Sequence, residues 1–271
     1  MNLEADKQLV QDFWDEASCG EKLYMKGDSR KEQFENQMKE RYRIEPEILE
    51  FADFPSFKGK KTLEVGVGLG SDHQMLAQSG ADLYGIDLTP RAIKNTKERL
   101  EIFGLKSNLQ VADAENLPFD DEEFEAVYSW GVILASPSPE KAADEIYRVL
   151  KPGGLAKVMI YKRKSMVGYM LWTRYALMRL RPFTSLDEIY AKYLESPGTN
   201  VYSVEEAREM FGKFSDVEIT TTLTHGDLLT SKAGQRHEGF WLGLARKVYP
   251  RALVRRFFKN HGLFMMIKAI K

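Results

Sequence analysis

The sequence predicts an α/β fold, a mostly parallel sheet with helices on both faces, and three observations carry that expectation. Short apolar runs alternate with helical segments between residues 58 and 161, the pattern of a parallel sheet covered on both sides. The first run, Thr62 to Val65, opens into Gly66-Val67-Gly68-Leu69-Gly70 and then into a helix from Ser71 to Ser79 closed by Gly80. The second and third runs lead into Asp87 and Asp113, at the strand ends where open sheets of this kind bind ligands.

The totals suit such a fold. A chain of 271 residues with 43% hydrophobic content can bury one α/β core with additions. No run of eighteen apolar residues is present, so no bilayer-spanning helix is expected. The start, Met-Asn-Leu-Glu-Ala-Asp-Lys, lacks the basic-then-apolar pattern of a secretory signal, and the single cysteine, Cys19, allows no internal disulfide. Both suit a reducing cytoplasm. The net charge of −1 conceals a division: residues 151–271 carry 21 Lys+Arg against 10 Asp+Glu, and residues 1–150 carry 18 against 30. That asymmetry fits an anionic partner or surface for the C-terminal part, and equally an attraction between the two halves.

Taken in order, Leu9, Val10, Phe13 and Trp14 fall at helical spacing and predict an amphipathic helix over 5–16. Ala17 to Tyr24 has no clear period, and Arg30 to Phe54 is helical in composition. Trp14 and Phe54 read as packing residues. Beyond the glycine turn, Asp82 to Ile86 is the second strand and Leu109 to Ala112 the third, with Asp87 and Asp113 following them. Asp87 stands where a carboxylate can take both hydroxyls of a ribose, and Asp113-Ala114-Glu115 where an adenine edge can be read. Thr89-Pro90 and Ser138-Pro139 each offer a capping hydroxyl followed by proline at the first helical position. Phe124 to Val132 is the fourth strand running into a turn, and Leu150-Lys151-Pro152-Gly153-Gly154 precedes a fifth, Leu155 to Tyr161. Ser165 to Arg181 is a helix apolar almost all round, a pattern of burial, and Leu186 to Leu194 is another. Pro197-Gly198-Thr199-Asn200 makes a loop, and Ser203-Val204-Glu205-Glu206 is a capping box. Phe214 to Leu223 is the sixth strand, Trp241 to Phe258 a last helix, and Leu263 to Ile270 an antiparallel closing strand.

Glycine-rich turns after strands also hold nicotinamide, flavin and phosphate. Here the pattern is E-x-G-x-G-x-G from Glu64 to Gly70, with Ser71 where a dinucleotide fingerprint has its last glycine, and Leu150-Lys151-Pro152-Gly153-Gly154 lies downstream. From about Lys61 to Tyr161 this series resembles the class I S-adenosylmethionine-dependent methyltransferases, particularly their small-molecule type 11 branch. The resemblance implies a Rossmann-like sheet of seven strands, with the antiparallel last strand between the fifth and sixth. It implies one domain: an N-terminal helical lid over 1–57, a cofactor-binding core over 58–161, an inserted helical cap over 162–202 roofing the acceptor site, and a C-terminal part over 203–271.

S-adenosyl-L-methionine is then the expected cofactor. Glu64 suits its methionine amino group, Gly66, Gly68 and Gly70 allow close backbone approach, and Asp87 holds the ribose with Leu88 near the adenine. Asp113, a role that Glu115 could take instead, and the Ala114 amide meet the adenine edge, and Trp130 and Gly131 line the pocket near the transferred methyl. Asp72, in the first turn of a helix, is as well explained by structure as by cofactor contact. Relatives often carry Gly-Val-Leu-His-His after the fourth strand, where this chain has Gly131-Val132-Ile133-Leu134-Ala135, so no base carries over. Tyr24, Tyr161 and His225 are the candidates for orienting or activating an acceptor. His73 is expected to pack or face solvent, His261 to be on the surface, and His237 to be structural. No metal set is assigned. The expected acceptor is a small or lipid-like molecule and not nucleic acid, since no binding module is visible. The basic C-terminal part can alternatively meet an anionic membrane. Two other classes stay open, a binding protein of the same fold without turnover and a nicotinamide-dependent oxidoreductase. The oligomeric state is not legible.

Overall fold

The computed structural model describes residues 3–194, 199–231, 243 and 246–271. Before the first strand come α1 (Leu3–Glu16), α2 (Glu21–Tyr24), α3 (Arg30–Ile44) and α4 (Glu47–Ala52). The core follows as β1 (Lys61–Val65), α5 (Ser71–Ser79), β2 (Asp82–Asp87), α6 (Pro90–Ile102), β3 (Asn108–Val111), β4 (Phe124–Trp130), α7 (Pro139–Val149) and β5 (Leu150–Tyr161). Then come α8 (Met166–Tyr175), α9 (Leu186–Tyr193), α10 (Val204–Met210), β6 (Asp216–Thr222), α11 (Arg251–Phe257) and β7 (Phe264–Ile270).

The strands form one seven-stranded sheet in the order β3-β2-β1-β4-β5-β7-β6. The first five pair in parallel, and β7 runs antiparallel between β5 and β6. The order reverses between β1 and β4, so a crevice is expected above the carboxyl end of β1. Leu63 and Val65 of β1, Phe124 and Val127 of β4, Val158 and Ile160 of β5 and Ile267 of β7 are buried in one apolar core. Continuous burial of this kind is what a sheet covered on both faces requires.

Local chemistry sets the element ends. α5 runs between Gly70 and Gly80, both in left-handed backbone. Thr89 caps α6, its hydroxyl oxygen accepting the Ala92 N–H, with Pro90 at the first position. Ser138 repeats the proline but not the cap: its hydroxyl makes no capping bond, and its N–H goes instead to Glu115 Oε1 at 2.8 Å. The capping box at Ser203 and Glu206 is complete. The fifth strand starts earlier than the glycines suggested, because Lys151–Gly154 stay in the sheet through a register shift against β4 and bonds from Gly153 and to Gly154 at Lys271.

The helical additions differ more. Arg30 to Phe54 is divided at Pro46 into α3 and α4. Tyr24, expected in irregular backbone, ends the short helix α2. The expected helix Ser165 to Arg181 stops at Tyr175, continues as a single 3₁₀ turn over Leu177–Arg179, and reverses at Leu180 with φ of +56°. Its expected burial fails at that end, for a geometric reason: past the helix stop the apolar side chains no longer follow the face that packs on α9. The expected last helix is interrupted at Pro250, and its Trp241, Leu242 and Leu244, like His237, Pro197 and Gly198, lie outside the described residues. Among the described residues no helix is long and apolar enough to cross a membrane.

Candidate active site

A cavity of about 220 Å³ lies above the carboxyl ends of β1, β2 and β4, far larger than a packing void. Its floor is the glycine turn. Gly66 N and Val67 N both donate to Ile86 O, which ties the turn to the end of β2. At Gly66, with φ of +85°, a Cβ would meet Val132 Cγ2 at 2.0 Å, so only glycine fits. Gly68 also has positive φ, but no atom lies within 4 Å of where its Cβ would be, and its backbone stands open.

Three acidic side chains reach this floor from neighbouring strands. Asp87 Oδ2 accepts the Gly68 N–H at 3.0 Å, and Oδ1 accepts the N–H and hydroxyl of Thr89, both at 2.9 Å. A carboxylate offers about four acceptor positions, so roughly one is left. Burial raises the Asp87 pKa, and the Thr89 and Gly68 donors offset only part of that. Asp113 Oδ1 accepts its own loop's Glu115 N–H at 2.9 Å, and Oδ2 pairs with Lys7 at 2.6 Å. Lys7, on α1, also reaches Glu115 Oε2 at 2.7 Å, while Glu115 Oε1 takes Ser136 Oγ and Ser138 N.

Glu64 is the most constrained of the three. It is buried, and its Oε2 lies 2.7 Å from His73 Nδ1, whose Nε2 lies 2.8 Å from Ser107 Oγ. Ser107 donates its hydroxyl proton to Leu83 O, so it must accept from His73 Nε2. Nδ1 and Glu64 therefore share one proton, and the pair is neutral as a whole. Burial, with Asp72 nearby, raises Glu64 well above the carboxylate range, and burial lowers His73 to about 3. His73 fits there because Gly85 has no side chain: a Cβ would stand 2.6 Å from its Cε1.

Asp72 belongs to a structural network on the same wall. Arg41 donates to both its oxygens (3.0 and 2.7 Å), and the Tyr42 and Tyr128 hydroxyls donate as well, at 2.9 and 3.0 Å. Burial would raise Asp72, but Arg41 outweighs it and the carboxyl stays below its usual range. The N-terminal segment closes the cavity: Lys7, Val10, Trp14, Ser18, Cys19, Arg41 and Glu45 all line it, so Trp14 is more than a packing residue. Phe54 is buried in the core. Leu88 lines the cavity too, and its carbonyl accepts from Gln11 Nε2 at 3.1 Å.

The other half of the opening is aromatic. Trp130 ends β4, Tyr161 ends β5 and Phe264 begins β7, three neighbouring strands. Phe264 meets Trp130 edge-on at 5.3 Å between centroids and stacks on Tyr161 at 6.0 Å. With Gly131, Val132 and Met159 they line the cavity beyond the carboxyls.

The remaining candidates stand apart. Tyr24 is not among the lining residues; its ring covers Gly20, and burial raises its pKa. His225 is also off the cavity, with Nδ1 on Ser231 Oγ at 2.7 Å and Nε2 3.9 Å from Glu45 Oε1; burial, then the Arg43 charge, lower it to about 4. His261 is partly buried on the Tyr169 hydroxyl at 2.9 Å. Residues 162–202, expected to roof the site, contribute no described side chain to its wall. Lys7, Arg41 and His73 were the unforeseen members. Their partners lie 106, 31 and 9 positions away, and only His73, on the helix after the glycine turn, was near enough in sequence to be suspected.

A glycine turn at the switch point of a wound sheet, with acidic groups on three adjacent strand ends, is the arrangement with which α/β folds hold nucleosides. Residues 63–158 match the methyltransferase-domain family model, and over that core the chain is similar to the class I S-adenosylmethionine-dependent methyltransferases. It is 35% identical over 129 residues to an uncharacterized protein of Mycobacterium tuberculosis, covering 48% of this chain and 46% of that one. It is 31% identical over 152 residues to the demethylmenaquinone methyltransferase of Tropheryma whipplei, covering 55% and 62%. The matches thus span about half the length of these curated relatives. In fold it is similar to a phosphoethanolamine N-methyltransferase 2 of Haemonchus contortus, solved with phosphomonomethylethanolamine and S-adenosylhomocysteine: TM-score 0.61, 17% identity, 97% of this chain and 60% of that one.

Proposed function

We propose that the protein transfers a methyl group from S-adenosylmethionine to a small, largely apolar and flat acceptor. The observation that carries this reading is the division of one cavity into an acidic half over β3-β2-β1 and an aromatic half over β4-β5-β7. The acidic half fits the cofactor. Asp87 keeps acceptor capacity for a ribose diol, with the Gly68 amide as the bond open to exchange. Glu64 offers a buried carboxyl to an ammonium group, with His73 able to take the shared proton. Asp113 and the Ala114 amide suit an adenine edge, and the backbone at Gly68 allows close approach.

When bound, S-adenosylmethionine supplies an activated methyl that a nucleophile takes in line, with a neutral thioether leaving. The protein's share is alignment and exclusion of water. α1 and residues 17–19 cover the opening, and Trp130, Tyr161 and Phe264 present flat faces to a guest. No described histidine lines the cavity, which favours an acceptor already nucleophilic at neutral pH. Tyr161, which lines the cavity, is the residue we assign to orienting it.

Calorimetry with S-adenosylmethionine, S-adenosylhomocysteine and NAD tests the first half of the proposal. Binding of the first two is expected, and binding of NAD alone would overturn it. Asp87→Ala should weaken the sulfonium cofactor at least about tenfold. Transfer from labelled cofactor tests the second half. Demethylmenaquinone, named for the Tropheryma relative and supplied chemically reduced to its quinol so that a ring carbon can attack the methyl and then lose its proton to solvent, is the apolar candidate acceptor, and phosphomonomethylethanolamine, named for the Haemonchus protein, is the polar contrast. Labelling of the polar compound alone would refute the aromatic-guest reading.

A further inference from the structure

The end of the inserted segment presents apolar side chains to solvent on a turn that is firmly built. Met178 is 75% exposed, Leu180 90% and Phe183 100%. Yet the turn that carries them is held by Leu180 N to Leu177 O, Arg181 N to Ala176 O and Thr184 N to Arg181 O, at 3.0, 2.9 and 3.1 Å. Trp172 Nε1 donates to Thr184 O at 2.9 Å, and Ala176 is fully buried in a small cluster with Leu171 and Ile189. Side chains so exposed on so fixed a backbone form a projecting point and not a frayed end.

The chain that forms that point is basic, and the nearest acids in sequence are Asp187, which pairs with Arg163, and Glu188 at the start of α9. Residues 164–186 contain Lys164, Arg174, Arg179 and Arg181 and no acid. Arg174 and Arg179 lie over the Tyr175 ring at 5.2 and 5.0 Å, and that ring stacks on Tyr193 at 3.9 Å, which holds both cations close behind the exposed turn. A second basic and apolar element adjoins the other end of α8. Met166 N donates to His261 O, Tyr169 meets His261 Nδ1, and His261 abuts Phe258 at the end of α11. Phe257 is 66% exposed there beside Arg255 and Arg256, and residues 246–271 hold eight basic residues and no acid.

We infer that residues 174–183 dock the protein on an anionic lipid bilayer, Leu180 and Phe183 entering the interface and Arg174, Arg179 and Arg181 meeting the headgroups. Separate projecting apolar tips backed by cations match an interface with a soft apolar layer beneath a negative surface. A folded protein partner would instead call for a continuous packable face. The inference is independent of the methyl-transfer reading, since none of these residues lines the cavity.

Flotation of the full chain with vesicles tests it. The protein should bind vesicles of equal parts phosphatidylcholine and phosphatidylglycerol, and bind pure phosphatidylcholine at least about tenfold more weakly. The double variant Leu180→Asp/Phe183→Asp should lose about tenfold or more on the anionic vesicles, with its thermal midpoint and S-adenosylhomocysteine affinity unchanged. Failure of the wild type to bind anionic vesicles, or undiminished binding by the double variant, overturns the inference. So does a wild-type dimer in light scattering that becomes a monomer in the double variant, because the tip would then be covered by a second copy of the chain.

Discussion

Two helical additions flank the same sheet, and they differ in a way their compositions would not suggest. The N-terminal segment, α1 to α4, is rich in charge, and α3 in particular carries few large apolar residues. It nevertheless covers the cavity and is fastened to the core by buried polar groups: Arg41 on Asp72, Lys157 on Ala52 O, and Arg99 on Phe34 O and Gln37. The segment 162–202 is the more apolar of the two, yet it leaves Leu180 and Phe183 in solvent and contributes no described side chain to the wall of that cavity. Apolar content alone therefore did not decide which addition closes the site. A fold can be closed by hydrogen-bonded charge where the closed space must receive a polar guest, and apolar residues can be left exposed where another phase is to cover them.

The sharpest test of that contrast compares one arginine from each addition. Arg41→Ala strands Asp72, a carboxylate only 4% exposed, with two tyrosine hydroxyls as its remaining donors. Removing one partner of such a pair costs about 3–5 kcal/mol. Arg163 holds Asp187 and Glu206 with similar distances, 2.7 and 2.8 Å, but those carboxylates are 56% and 45% exposed. Arg163→Ala should cost no more than about 1 kcal/mol. Urea unfolding of both variants checks this, and equal losses would remove the distinction between a fastened lid and a loosely tied insertion.

How much of this was legible in the sequence follows the separation between partners. The glycine turn, the placement of Asp87 and the Thr89-Pro90 helix start are local, and each could be read within a few residues. The strand order past β5 came from family resemblance and not from periodicity. Lys7 with Asp113, and Arg41 with Asp72, join elements far apart in the chain, where no pattern links them. His73 was expected to pack or to face solvent and is fully buried, but its bond to Glu64 was not legible because its place depends on Gly85, one strand over. The burial of 165–181 was misread because periodicity assumes the helix continues, whereas it ends at Tyr175.

A smaller effect should appear with pH at the joint between lid and sheet. Lys157 is 4% exposed, donates to Ala52 O at 2.6 Å and lies over the Phe57 ring at 5.2 Å. Burial lowers its pKa from 10.5 to about 8, with the Asp53 charge opposing. Between those values the unfolded chain binds the proton and the folded chain does not, so stability rises with pH across that window. The gain is on the order of 2 kcal/mol from pH 8 to 10.5. Other groups titrate there too, so the measurement is the difference between wild type and Lys157→Met, which should lose that rise. A variant with the wild-type slope would mean Lys157 is well solvated and contributes no buried charge at the joint.

The smallest effect concerns the latch of the lid itself. Lys7 is 23% exposed and pairs with Asp113 and Glu115, while 3.1 Å separates Gln11 Nε2 from Leu88 O further along α1. Partly exposed pairs contribute under about 1 kcal/mol, so Lys7→Ala should hardly change unfolding. Asp113 keeps its Glu115 N–H, so that side of the cavity should also hold its shape. What should change is how the lid opens. In wild type, dissociation of S-adenosylhomocysteine should quicken with added salt, because screening weakens the Lys7 contacts. In Lys7→Ala it should be several-fold faster at low salt and less sensitive to salt, α1 then keeping the neutral Gln11 bond to Leu88 O and the bond from the Arg91 N–H to Asp15. Stopped-flow traces as salt-sensitive in the variant as in wild type would place the closing contact elsewhere on the N-terminal segment, and the comparison would then rest on Arg41 rather than on α1.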